Sequence, residues 1–261
     1  MCAGQGTNPV PPHQLRAPLP EGAIRCSLWE TGRCPSVVDS ATGSVKEGKD
    51  GEEVGMIFLY DGSNSCVEIE KQMEVPVERL FSPGTRFSAD NDREKGFGID
   101  NFAFSGCNRG SLESLLVRLE PRRHQCHFVS LPDIVGNARR TLEIFHMVKY
   151  RYPVWPRAFV CQDGIEDLEI PWGDIKAIFI GGTDRFKLSS AALDCIRAAK
   201  ILSKWVHVGR INSFERWDKF ESAGADSCDG SGFSRYGEAM FPTFRNKRIH
   251  LFSELQSSNG G

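Results

Sequence analysis

From residue 54 onward, short unbroken apolar runs alternate with segments whose apolar residues recur every three or four positions. The runs are VGMIFLY (54–60), GFGID (96–100), CHFVSLPD (126–133), RAFVCQD (157–163), KAIFIGG (176–182), KWVHVG (204–209) and ADSCD (225–229). Helical spacing marks residues 111–119 and 137–150, the latter with Ala138, Leu142, Phe145 and Val148 on one face. It marks two more segments, one N-capped by Ser189 and reaching about Ser203, the other running from Ser213 to about Ala223. The runs do not alternate apolar with polar. Strands of that kind are covered on both faces, as in a parallel sheet flanked by helices. Counting strand-like pieces nearer the N-terminus, around Arg25–Trp29, the chain supplies about eight strands. The pattern predicts an α/β protein, a single compact (β/α)8 TIM-like barrel. A doubly wound open sheet is the alternative. It is disfavoured because no Gly-x-Gly-x-x-Gly follows the first strand.

Three segments follow from composition along the chain. Residues 1–22, with five prolines, read as a flexible tail, and residues 23–240 as the barrel. Residues 241–261 read as a basic segment and tail carrying Arg245, Lys247 and Arg248. A polar, Gly-rich loop spans 39–53. At 261 residues, 40% hydrophobic, the chain suits one packed domain. The 32 Lys and Arg against 34 Asp and Glu give a net charge of −2, so nucleic acid could be held only by a local basic patch. The chain lacks the run of about 18 apolar residues that a membrane helix needs. Met1–Pro20 lacks the apolar stretch of a secretory signal. The nine cysteines are scattered and form no Cys-x-x-Cys pair, which predicts reduced thiols, a cytoplasmic location and no metal site.

In such a barrel, functional groups stand at the C-terminal ends of the strands. Those ends read, in order, Asp100, Asp133, Gln162 with Asp163, Gly181 with Gly182, His207 and Asp229. Carboxylates from several strands would therefore converge on one mouth. Each aspartate alone also reads as the N-cap of the following helix.

Over residues 95–236 the chain resembles the tRNA-guanine transglycosylase superfamily, most of all its phage and bacterial branch, the DNA 7-deazaguanine transglycosylases. The family's Asp-Ser-Gly-Gly-aromatic-Gln stretch resembles Asp100-Asn101-Phe102-Ala103-Phe104-Ser105. Its strand ending in a guanine-recognising Asp resembles Phe128–Asp133, and its Val-Gln-Gly-Gly turn resembles Cys161-Gln162-Asp163-Gly164. Its Gly-bearing strand end is similar to Ile180-Gly181-Gly182, and its Met-bearing strand to Trp205–Val208. Its nucleophile segment is similar to Cys228–Arg235. The chain departs from the pattern where Phe102 replaces a Gly and His207 a Met. Cys228 is its last cysteine, so the C-terminal zinc subdomain of the tRNA enzymes has no counterpart.

The resemblance implies exchange of guanine in DNA for a 7-deazaguanine such as 7-cyano-7-deazaguanine, without a cofactor. Asp229 would be the nucleophile and Asp100 the acid and base. Asp133 would accept from the base N1–H and amine. Gln162 and the Gly182 N–H would hold the base carbonyl, and Gly181 would admit the base close to the main chain. Phe104 and His207 would stack on the ring, with Asn101 and Asp163 nearby. Arg185, Lys187, Lys204, Arg210 and Arg235 would contact phosphates. The partners implied are DNA, a free 7-deazapurine base and a possible helper protein, in the host cytoplasm if the chain is viral. Exchange in tRNA, or a non-catalytic nucleic-acid-binding barrel, are the alternatives.

Overall fold

The computed structural model describes residues 55–85, 92–103 and 109–232. Eight parallel strands form a closed barrel in chain order: β1 (Ile57–Tyr60), β2 (Val77–Phe81), β3 (Phe97–Ile99), β4 (Cys126–Ser130), β5 (Arg157–Cys161), β6 (Ala177–Ile180), β7 (Trp205–Val208) and β8 (Ser227–Cys228). The ring closes where Ile57 and Phe58 pair with Ser227 and Cys228. Helices on the outside are α1 (Cys66–Met73), α2 (Arg109–Leu119), α3 (Ala138–Val148), α4 (Asp184–Lys187), α5 (Ser190–Ile201) and α6 (Phe214–Ser222). Ser189 caps α5 by accepting from the Ala192 N–H, as its sequence position implies.

The expected (β/α)8 barrel is therefore the observed fold, with one change of parts. Its eight strands all lie between residues 57 and 228. The piece around Arg25–Trp29 is outside the described residues, and the ring closes without it. The strand that the pattern does not mark is β2, because Glu78 and Arg79 interrupt its apolar run. Arg79 faces outward yet is fully buried. Its guanidinium donates to Asp92 (2.7 Å from Nε) and to the carbonyls of Gly62 (2.6 Å) and Asn64 (2.5 Å). A buried guanidinium is tolerable only when paired and hydrogen-bonded in this way. The tails at 1–22 and 241–261, with Arg245, Lys247 and Arg248, also lie outside the described residues, as do residues 23–54 and 233–240.

Two apolar clusters follow from the pleat, which sends alternate residues to opposite faces. Outward residues such as Phe58, Phe97, Val129, Phe159 and Ile178 pack with Leu115, Phe145, Ile196 and Trp217 of the helices. Inward residues Leu59, Leu80, Phe128, Ala158, Val160, Ala177 and Phe179 fill the bore. Each such side chain contributes about 1.5–3 kcal/mol when fully buried. A register shift between β3 and β4 pairs Phe97 with Cys126 but Gly98 with Phe128, leaving His127 as the extra residue of a bulge. Gly98 is required there, since a Cβ would lie 2.5 Å from the Phe128 ring and 2.8 Å from Leu59. No helix among the described residues is long and apolar enough to cross a membrane.

Candidate active site

The same alternation builds the mouth. One inward step beyond Leu59 is Asp61, beyond Gly98 is Asp100, beyond Val160 is Gln162, beyond Phe179 is Gly181, beyond His207 is Gly209 and beyond Ser227 is Asp229. All six C-terminal residues line one cavity of about 310 Å³. Leu80, Val160, Phe179, Phe102 and Ala103 form its apolar walls, and Asp133, Lys187, Arg210 and Ser231 complete the lining. That volume sits at the low end of the 300–1,000 Å³ typical of small-ligand pockets, so it suits one small ligand.

Asp229 is the most highly organised group. Its Oδ1 accepts the backbone N–H of Arg210 (2.7 Å), and its Oδ2 lies 3.1 Å from His207 Nε2. Burial pushes its pKa up, but the His207 hydrogen bond, the His207 charge at the acid pH where Asp229 titrates, the Arg210 N–H and the Lys187 ammonium outweigh that, and the net shift is downward. Asp229 is thus a carboxylate at neutral pH. Asp100 behaves oppositely. Burial, then the charges of Asp229 and Asp133, push it up to about 7. Only a 3.3 Å hydrogen bond from Ser130 and a backbone N–H offset this. Two aspartates of one cavity thus hold opposite protonation states near neutrality, the arrangement that acid–base chemistry beside a nucleophile needs.

Asp133 is gripped by two amides. Asn101 Nδ2 donates to Oδ1 (2.8 Å) and Gln162 Nε2 to Oδ2 (2.5 Å). Asn101 is itself fixed by the Leu131 carbonyl (2.7 Å), and Gln162 Oε1 accepts from the Gly136 N–H (2.8 Å). Burial nonetheless raises the Asp133 pKa above its ordinary value, although both amide donors oppose this. The next residue after Asn101, Phe102, holds φ +64° and is 38% exposed on the cavity wall. A bulky residue in the left-handed region is strained, commonly at functional sites.

Several expected roles need correcting. His207 does not stack on a ligand. It is fully buried one layer below the mouth, between Phe128 (4.7 Å) and Phe179 (4.6 Å), because it is two residues short of the strand-end position. Asp163 points away from the cavity, since Gln162 beside it takes the inward phase. It accepts from the Thr183 N–H (2.9 Å) and hydroxyl (2.5 Å) at the start of α4. Gln162 lines the cavity, but both ends of its amide are occupied by Asp133 and Gly136. Gly182 lies behind the wall, with φ +72°, and its carbonyl accepts from Arg210 Nη2 (2.9 Å).

Among the expected phosphate contacts, Lys187 is an interior group. It is 2% exposed, faces the cavity and donates to the Gly209 carbonyl. Burial, then the Arg210 charge, lowers its pKa to about 8. Lys204 precedes β7 rather than following it, so it sits at the opposite, N-terminal end and donates to the Ile175 carbonyl (2.9 Å). Arg185 is exposed on α4, and Arg210 lines the cavity. Phe104 and Arg235 lie outside the described residues. The residues that sequence reasoning passes over are Asp61, Phe179, Val160, Leu80, Gly209 and Ser231. Period-two counting along the marked strands identifies Asp61, Phe179, Val160 and Gly209, whereas Leu80 lies on β2, which the pattern does not mark. Among the described residues no three His, Cys, Asp or Glu side chains form a group able to hold a metal ion.

No known protein family and no curated protein matches the chain. Among solved structures it is similar to a chain from the tryptophan synthase complex of Pyrococcus furiosus, at 14% identity and TM-score 0.44, over 75% of this chain and 95% of that one. It is also similar to a candidate lyase/mutase from Burkholderia cenocepacia, at 11% identity and TM-score 0.37, over 77% and 83% of the two chains. An EAL domain from Pseudomonas aeruginosa bound to c-di-GMP matches at 13% identity and TM-score 0.34, over 64% and 66%.

Proposed function

We propose that the chain is a glycosyl-transferring enzyme that exchanges guanine in DNA for a 7-deazaguanine derivative such as 7-cyano-7-deazaguanine. The observation that carries this reading is the pair of cavity carboxylates, Asp229 ionised and Asp100 still protonated near neutral pH. A double displacement at a sugar carbon needs those two states together. Asp229 attacks C1′ of the nucleotide as the bond from C1′ to guanine N9 breaks. The Asp100 proton passes to guanine N7, so the base leaves neutral and Asp100 becomes a carboxylate. The incoming purine then gives its N9 proton to Asp100. Its N9 attacks C1′ and the Asp229–sugar bond breaks, restoring both carboxyls.

Further features support the reading. Asp133, oriented by Asn101 and Gln162, retains lone pairs for the N–H donors of a guanine-like edge. Phe179 and Phe102 line the cavity and supply aromatic contact area for a purine. A target base in duplex DNA would have to leave the stack to reach this cavity. Arg210, which lines the cavity, and Arg185, exposed on α4, are the candidates for adjacent phosphates.

The test is nucleoside mass spectrometry on DNA and tRNA incubated with the protein and 7-cyano-7-deazaguanine, beside an Asp229→Ala variant. The expected result is a modified deoxynucleoside with the wild type alone. Product in tRNA alone would move the reaction to the other polymer. Full exchange by the variant, or no product in either polymer, would overturn the proposal.

A further inference from the structure

Below Asp229 a line of polar side chains runs down the bore. Trp205 Nε1 lies 2.9 Å from Ser227 Oγ. Ser227 Oγ lies 3.0 Å from His207 Nδ1, and His207 Nε2 lies 3.1 Å from Asp229 Oδ2. Ser227 and His207 are fully buried, so water cannot substitute for any partner. The chemistry of the two ends fixes every hydrogen between them. An indole N–H only donates, and an ionised carboxylate only accepts. Nε2 of His207 must therefore carry the hydrogen that meets Asp229. Burial lowers the imidazole pKa below its ordinary value despite the facing carboxylate, so the ring is neutral and its Nδ1 is an acceptor. The Ser227 hydroxyl must then donate to Nδ1, leaving its oxygen to accept from Trp205.

The line is braced on its sides as well. Phe128 and Phe179 flank the imidazole. The Trp205 indole stacks on the His127 ring at 4.2 Å and 7°, and His127 is tied to Glu78 at 2.5 Å. We propose that Ser227 and Trp205 are positioning residues for the nucleophile: they lock His207 in its Nε2–H tautomer and so aim a hydrogen at Asp229 from beneath. The other tautomer would set an imidazole lone pair against the carboxylate. The groups facing Asp229 from the surrounding elements are His207 on β7, the Arg210 N–H beyond it, Lys187 on α4 and Asp100 beyond β3. Of these, His207 is the one whose donation depends on a tautomer. The catalytic part of this inference rests on Asp229 being the nucleophile, whereas the tautomer does not.

Two readouts separate those parts. The first is the ¹⁵N spectrum of histidine-labelled full-length protein, with His207 assigned by its disappearance in His207→Asn. The second is base exchange resolved into kcat and KM. Wild type is expected to show a single Nε2–H tautomer. Ser227→Ala removes the donor to Nδ1 and should give a mixture with Nδ1–H. Its kcat should fall about tenfold with KM within about twofold, the scale typical of losing a group that orients an active-site ligand. Trp205→Phe leaves the hydroxyl free to accept, and should fall between the two in both readouts. An Nδ1–H tautomer in wild type, or a pure Nε2–H tautomer with unchanged kcat in both variants, would overturn the inference. If no base exchange is found at all, the proposed function fails, and the spectra alone still decide the tautomer.

Discussion

Replacing Asp100 with asparagine should stabilise the fold, and only at neutral and alkaline pH. An aspartate in the unfolded chain ionises near 3.8, and burial beside Asp229 and Asp133 moves Asp100 to about 7 in the folded state. Well below pH 3.8 the group is protonated in both states and contributes nothing. Between pH 4 and 7 the unfolded chain releases its proton while the folded chain keeps it, so stability falls as pH rises. Above about pH 8 the loss is complete. A shift of about three pKa units corresponds to about 4 kcal/mol at most, and Asp100 borders the open cavity, which lowers the expected figure to about 2–4 kcal/mol. Asparagine keeps the shape, and its carbonyl still accepts the Ser130 hydroxyl, so the change removes the ionisation and little else. Urea unfolding of both proteins at pH 4 and pH 8.5 measures the effect, with titrations outside the Asp100, Asp133 and Asp229 cluster cancelling in the difference. The variant should gain its full advantage at pH 8.5 and keep only about 0.5 kcal/mol of it at pH 4. An advantage equal at both pH values, or a wild type more stable at pH 8.5, would refute the reasoning. The cost that the native protein carries here fits the role proposed for Asp100, since function is commonly exchanged for stability.

The same ionisation sets the rate profile of the proposed reaction. Asp100 must enter the first step protonated, so kcat/KM for base exchange should fall tenfold per pH unit above about pH 7, and a profile flat from pH 6 to 9 would exclude it as the acid. Gly181→Ala would bring a Cβ to 2.8 Å from Val160 Cγ1 and 3.0 Å from Gln162 Nε2. It should cost about 1–3 kcal/mol of stability and weaken guanine binding measured by calorimetry, because Gln162 can move only by releasing Asp133.

The strands buried on both faces are legible in the sequence because their apolar runs are continuous. β2 is not, and the reason is specific. Glu78 satisfies itself on His127 inside the bore, and Arg79 on Asp92 outside it, so buried charges imitate a surface segment. At the site, Asp100, Asp133 and Asp229 are readable from the rule that barrel function gathers at strand ends. Which neighbours join them depends on phase. Counting in twos already separates Gln162 from Asp163 and places His207 below Gly209. No such count reveals that Lys187 folds into the interior from α4, since that depends on the Gly209 carbonyl presented by a different strand. Nor does local sequence show the amide grip on Asp133, whose members are 29 and 32 residues away from it.

The ring closes at β8, the shortest strand, with two residues and two partner pairs on each side. Asp229 is the residue just past that seam, tethered by its N–H to Val208 at 3.3 Å and by its carbonyl to the Ile211 N–H at 2.6 Å. A fluctuation that unzips this joint breaks few ladder bonds, so it costs far less than global unfolding. Such breathing would displace the Asp229 carboxylate, the proposed nucleophile, while β2 to β7 stay paired. Amide hydrogens around residues 227–229 would then exchange with solvent well before those of β5 and β6, and the proposed base exchange would be lost at temperatures where the protein still looks folded.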